Sequence, residues 1–273
     1  MTISHIQKET ISIGDVTIYC EYVLNGKPPI LLIHGFVSST YTFNRLMPLL
    51  TREFSVIAVD LPGFGRSEKS KTFIYSFTNY AKLIAECIQY FKLENVTIVG
   101  HSMGGQIALY TAKLAPSKVE KMILLCSSGY LKSAKKPLIY CSYLPFFRFL
   151  VEQYIRKKDV KKSLENVFYN KTYITEELMR EFSRPLTEKD FYTSLLRLLR
   201  YREGDLTSEQ LSKIQVPTLL IWGEEDKVVP LEIGKRLVQD LPNAELIMYE
   251  KTGHLVTEER PNELYHHILS YIS

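Results

Sequence analysis

The chain alternates between short, mostly apolar runs and longer stretches in which apolar residues return every three or four positions. The short runs fall at residues 30–33, 55–59, 96–99, 122–126, 218–222 and 245–248. Their length and β-branched content predict strands, and their near-continuous hydrophobicity predicts burial on both faces of a mostly parallel sheet. Residues 77–91 place Leu83, Ile84, Cys87, Ile88 and Phe91 at helical spacing. Helices are predicted there and at 41–50, 232–239 and 261–272. Near the start, residues 10–13 and 16–22 alternate as two paired strands do, with Gly14-Asp15 as their turn.

The alternation breaks once. Between the runs ending at 126 and beginning at 218 lie about 90 residues, far more than an ordinary strand-to-helix connection. Helical spacing at 176–182 and 189–201 predicts several helices there. The expected organisation is an α/β core of residues 1–129 and 212–273 with an inserted helical cap at 130–211. Residues 130–206 hold 16 Lys plus Arg against 10 Asp plus Glu, so they carry +6 while the rest, 18 against 20, carries −2. This stretch is also rich in Tyr, Phe and Leu, including Tyr140, Tyr143, Phe146, Phe147 and Phe149. A solvated basic face over an apolar inner face accounts for that pattern. A greasy acyl pocket whose basic rim attracts anionic substrates or a membrane surface accounts for it too.

The strand at 96–99 runs into Gly100-His101-Ser102-Met103-Gly104-Gly105, and a helical stretch follows. Strand, sharp turn and helix in that order put Ser102 at a strained apex, where Gly100 and Gly104 let strand and helix pass closely. The hydroxyl is then held out at the carboxyl edge of the sheet, beside the free N–H groups of a helix start. That is a nucleophile's position.

A serine hydroxyl needs a neutral imidazole to accept its proton, and the imidazole needs a carboxylate to fix its tautomer. Of the six histidines, His5 lies in the polar start, and His266 and His267 sit within the C-terminal helix. His34 is expected to shape its turn through a side-chain hydrogen bond. His101 is expected to point away from the site, as alternate residues near a strand end do. His254, in a loop just after the last strand, is the candidate base. For the acid, Glu224, Glu225 and Asp226 follow the next-to-last strand. Asp226 is preferred for its short side chain after a Gly-led turn, with Glu225 as the fallback. Capping of the following helix is the competing role for Asp226.

Composition limits the alternatives. With 273 residues, 45% hydrophobic and 23% charged, the chain can bury a large core. A net charge of +4 is too small to argue for nucleic acid. Cys20, Cys87, Cys126 and Cys141 lack paired metal-ligand spacing and read as free thiols of a reducing compartment. No run of about 18 apolar residues occurs, and residues 1–8 lack a basic-then-apolar signal. A cytoplasmic protein without stable membrane insertion is expected.

Together, His34-Gly35-Phe36, Asp60-Leu61-Pro62-Gly63-Phe64-Gly65-Arg66-Ser67, Gly100-His101-Ser102-Met103-Gly104-Gly105, Gly223-Glu224-Glu225-Asp226 and Gly253-His254 resemble the α/β-hydrolase fold superfamily. Within it they resemble the capped branch of serine esterases, C–C hydrolases and cofactor-free haloperoxidases. The resemblance implies an eight-stranded sheet with an antiparallel second strand, no cofactor and no metal. It also implies an oxyanion hole made by the backbone N–H groups of Phe36 and Met103. A serine nucleophile argues against the carboxylate-using dehalogenases and epoxide hydrolases, and Met103 stands where dehalogenases carry a Trp. The His-Gly-Phe loop differs from the triple-glycine loop of some lipases, which disfavours bulky tertiary-alcohol esters.

The reading is a carboxylesterase that cleaves a small-molecule ester through an acyl-enzyme, with Ser102, Asp226 and His254 as its triad. Two other functions fit the same motifs: C–C bond hydrolysis of vinylogous diketones, and a ligand sensor or signalling protein on a hydrolase scaffold.

Overall fold

The computed structural model describes residues 5–188 and 190–273. The signal-peptide reading of the first four residues and the start of the predicted helix at Lys189 lie outside the described residues. Eight strands, β1 (Gln7–Ile13), β2 (Val16–Val23), β3 (Pro29–Ile33), β4 (Ser55–Val59), β5 (Val96–His101), β6 (Val119–Leu125), β7 (Thr218–Gly223) and β8 (Ala244–Tyr249), form one sheet. Their order is β1-β2-β4-β3-β5-β6-β7-β8. β2 runs antiparallel to both of its neighbours, and β4 through β8 pair in parallel with β3 among them. Every residue of β4 and β5 is buried, which requires cover on both faces.

Twelve helices accompany the strands among the described residues. In the first half these are α1 (Met47–Leu50), α2 (Phe77–Tyr90) and α3 (Met103–Leu114). Between β6 and β7 come α4 (Lys136–Cys141), α5 (Phe147–Arg156), α6 (Val160–Val167), α7 (Glu176–Ser183), α8 (Phe191–Tyr201) and α9 (Ser208–Leu211). The last three are α10 (Leu231–Asp240), α11 (Val256–Glu259) and α12 (Pro261–Ile272). The helix predicted at 41–50 is interrupted: a 3-10 turn, Thr40–Phe43, precedes the single turn of α1. Pro48 has no N–H to continue a helical ladder from Asn44, so the periodic apolar pattern there cannot close into one helix.

The helices between β6 and β7 are tied to the strands at several buried points. Phe191 and Tyr192 of α8 join the main apolar core. Gln106 of α3 donates to the Ser128 carbonyl and accepts from the Leu206 N–H, at 3.0 and 2.9 Å. Glu203 accepts from the N–H groups of Phe77 and Thr78, the first two of α2. These N–H groups have no partner inside their own helix, and a carboxylate there also complements the helix dipole.

Candidate active site

Ser102 sits between β5 and α3 with φ 54° and ψ −118°, a conformation that side chains rarely adopt. The turn is possible because its flanks are bare. A Cβ on Gly100 would collide with the Gly104 carbonyl, and one on Gly104 with the Ile33 carbonyl. Met103 opens α3, so its N–H is among those without an intrahelical acceptor.

The loop after β3 lies directly against this turn. A Cβ built on Gly35 would stand 3.0 Å from the Ser102 Cβ. His34 is fully buried and orients that loop: its ring lies 2.7 Å from the Gly35 carbonyl through Nδ1 and 3.0 Å from the Leu61 N–H through Nε2. Leu61 can only donate, so Nε2 accepts and Nδ1 carries the hydrogen that goes to Gly35. The Gly35 carbonyl and the Phe36 N–H belong to one planar trans peptide and point in opposite directions. Holding the carbonyl toward His34 therefore directs the Phe36 N–H the other way. Burial pulls the His34 pKa down to about 4, which keeps this tautomer neutral.

Behind it, buried Asp60 holds the loop after β4. Its Oδ1 accepts from the Thr40 N–H and its Oδ2 from the Arg66 N–H, both at 2.6 Å. Burial raises its pKa to about 6 despite those two donors.

On the far side, the loop following β8 crosses the carboxyl ends of β5, β6 and β7. His254 Nδ1 lies 2.7 Å from Asp226 Oδ2, and both side chains are buried. The other oxygen, Asp226 Oδ1, accepts from the N–H groups of Val228 and Val229, at 2.7 and 2.9 Å. Asp226 thus braces the turn before α10 with one oxygen and meets His254 with the other. α10 itself starts after Pro230 with no side-chain cap, so the helix-capping role is not the one Asp226 fills. Glu225, the fallback, instead accepts from the Thr252 N–H at 2.8 Å and steadies the histidine's loop.

His101 departs from its expectation. Its ring packs against that of His254, with centroids 4.7 Å apart, and its Nε2 lies 2.9 Å from the His254 carbonyl. Alternation sends it away from Ser102, but the crossing loop meets that side of β5 as well. Burial, reinforced by the neighbouring His254, holds the His101 pKa down at about 3. A neutral ring therefore stands beside His254.

Cys126 Sγ, the His254 ring nitrogen and the Asp226 carboxylate cluster within 4.8 Å. A metal would require the thiolate, whereas burial drives this thiol far up, and His254 Nδ1 is already engaged by Asp226. The trio fits a hydrogen-bonded cluster better than a metal site.

The sequence reading passed over Glu259. This buried carboxylate accepts from the N–H groups of Gly253 (2.7 Å), Tyr169 (3.2 Å) and Asn170 (2.9 Å). It ties the histidine's loop to the segment after α6. An acidic pair, Glu258-Glu259, so soon after His254 was the available signal.

The matched sequences agree with this architecture. A sequence profile of the alpha/beta hydrolase fold matches residues 28–261, most of the chain. The chain belongs to that family. It is 44% identical over 271 residues to an uncharacterized hydrolase of Bacillus subtilis (strain 168), YugF, covering 99% of this chain and 98% of that one. It is 27% identical over 257 residues to a 2-hydroxy-6-oxononadienedioate/2-hydroxy-6-oxononatrienedioate hydrolase of Cupriavidus pinatubonensis, covering 90% and 87% of the two chains. Among solved structures, an esterase from Exiguobacterium antarcticum superposes with a TM-score of 0.81 at 26% identity, over 97% of this chain and 99% of that one. The hydrolase fold places all five motif loops at one edge of the sheet, where open α/β sheets bind ligands.

Proposed function

We propose that this hydrolase is a carboxylesterase acting on small to medium acyl esters through an acyl-enzyme, with residues 130–211 as a cap over the site. The observation that carries the reading is the 2.7 Å contact between His254 Nδ1 and Asp226 Oδ2, on a loop that crosses β5 where Ser102 is held at φ 54°. In this reading His254 Nε2 takes the Ser102 proton as Oγ attacks the acyl carbonyl. Asp226 stabilises the imidazolium, and the Phe36 and Met103 N–H groups hold the oxyanion. His254 then protonates the departing alkoxide and activates the water that releases the acid. Because the base must be neutral, activity rises as the imidazole loses its proton. Four free cysteines, three of them buried, support residence in the cytoplasm.

C–C bond hydrolysis is the second reading, favoured by the 27% identity to the Cupriavidus enzyme. Hydrolysis of a chromogenic ester series of rising acyl length, beside Ser102→Ala, tests the first. Turnover by the wild type and none by the variant is expected. Inert wild type of intact fold overturns the esterase reading, and turnover of a vinylogous diketone in its place establishes the second.

A further inference from the structure

Eighteen large apolar side chains are exposed among the described residues, and eight of them, Leu138, Tyr140, Tyr143, Leu144, Phe146, Phe149, Leu150 and Tyr154, fall within the 17 positions 138–154, on α4, α5 and the turn between them. Scattered exposed apolar residues are ordinary, but a concentration of this kind marks a contact surface. The exposures are high, 75% for Phe146 and 70% for Tyr140. Phe146, Phe149, Leu150 and Tyr154 recur at i, i+3, i+4 and i+8, so they share one helical face.

The same segment is anchored to α8. Arg200 of α8 donates to the Ser142 hydroxyl at 2.8 Å and to the Ser142 carbonyl, and its guanidinium lies 4.1 Å above the Tyr143 ring. Arg156 of α5 lies over the Tyr192 ring of α8. The segment is thus held on α8 chiefly through buried Ser142, while Phe146, Phe149, Leu150 and Tyr154 remain exposed.

Charge identifies what covers it. Residues 132–162 contain nine Lys or Arg against two acidic residues, Glu152 and Asp159. Glu152 pairs with Arg156, and Asp159 caps α6. Lys135, Lys136, Lys157, Lys158, Lys161 and Lys162 are exposed and make no ion pair among the described residues. A second copy on this face would set its basic flank against another basic flank. A layer of anionic headgroups over acyl chains complements both features at once, and tyrosines suit the boundary between them.

We propose that the α4–α5 segment is a peripheral docking surface for an anionic lipid bilayer. No described helix is long and apolar enough to cross a membrane, so the attachment is interfacial and reversible. The proposal stands apart from the esterase reading, since its test reads binding rather than turnover.

The test is flotation of the full chain with vesicles of phosphatidylcholine alone or mixed with phosphatidylglycerol, at low and high salt. The wild type and Ser102→Ala should float equally, with the mixed vesicles only, and less at high salt. Two variants, Phe146→Ser/Phe149→Ser/Leu150→Ser and Lys157→Glu/Lys158→Glu, should each lose about tenfold or more in binding while keeping the wild-type circular dichroism spectrum. No flotation at low salt overturns the proposal. So does undiminished binding of the apolar variant, or a dimer in sedimentation velocity that this variant dissociates, which would assign the face to a second copy.

Discussion

The backbone N–H of His254 donates to the carbonyl of Val167, the last residue of α6, at 2.7 Å. A residue of the β6–β7 connection thereby positions the proposed base directly, and Glu259 doubles the tie one residue earlier, at Gly253. The helical connection and the histidine's loop are therefore joined by hydrogen bonds at both Gly253 and His254.

Glu259→Gln tests that coupling. The carboxylate faces three N–H donors on two oxygens, and an amide would turn its own NH2 toward at least one of them. A cost of about 1–3 kcal/mol in stability is expected. Ester turnover should fall about tenfold or more as His254 loses its register, since small misplacements near the chemistry are expensive. Thermal denaturation and kcat measured together check this. A variant that is less stable yet fully active would make Glu259 a structural tie alone.

Asp226→Asn should be far more damaging to turnover than to folding. Val228 and Val229 both donate to Oδ1, so the amide oxygen stays there and the NH2 replaces Oδ2 against His254 Nδ1. The imidazole is then forced into the tautomer with hydrogen on Nε2, which cannot accept a proton from serine. A loss of about 10⁴ in kcat is expected, the size seen when a triad acid is replaced this way in a serine protease. Steady-state kinetics with an activated ester reads it.

The buried His34 predicts a pH dependence of stability. Its pKa is about 4 in the fold against 6.5 ordinarily, so the unfolded chain binds the proton first on acidification. The stability it supports is complete above the unfolded pKa and is lost as pH falls toward about 4, amounting to roughly 3 kcal/mol. Asp60 and Glu258, raised by burial to about 6 and about 7, act in the opposite sense and lose stability as pH rises through their window. Comparison with His34→Asn cancels those carboxyl contributions. By chemical denaturation, the wild type's advantage over this variant should shrink by roughly 3 kcal/mol between about pH 7 and about pH 4. A constant advantage would contradict the assignment.

Gly65→Ala should destabilise the loop after β4. Gly65 has φ +51°, and a Cβ there would overlap the Asp60 carboxylate, which is anchored by two backbone donors. Gly26→Ala is the control: its φ is +76°, but nothing lies within 4 Å. The control should cost about 1 kcal/mol, the strain of the left-handed backbone alone, and Gly65→Ala at least 2 kcal/mol more. Equal melting temperatures for the two variants would count against this account.

What the sequence determined by itself is what local chemistry encodes. Apolar runs such as 30–33 and 96–99 had no stable place except inside a covered sheet, and the glycines around Ser102 left one way for strand and helix to pass. Those signals lie within a few residues of each other, so the strands, the elbow and the candidate roles of Asp226 and His254 could be read along the chain. Tertiary structure decided the rest, because the loops after β3, β5, β7 and β8 converge only when the strand order brings their ends to one edge. That convergence turned His101 from a residue facing elsewhere into the neighbour of His254. It also buried Glu258 and Glu259, which along the chain look like solvated charge. The outward face of α4–α5 is of the same kind: the pattern showed apolar residues and lysines, and only packing on α8 determined which of them remained in solvent.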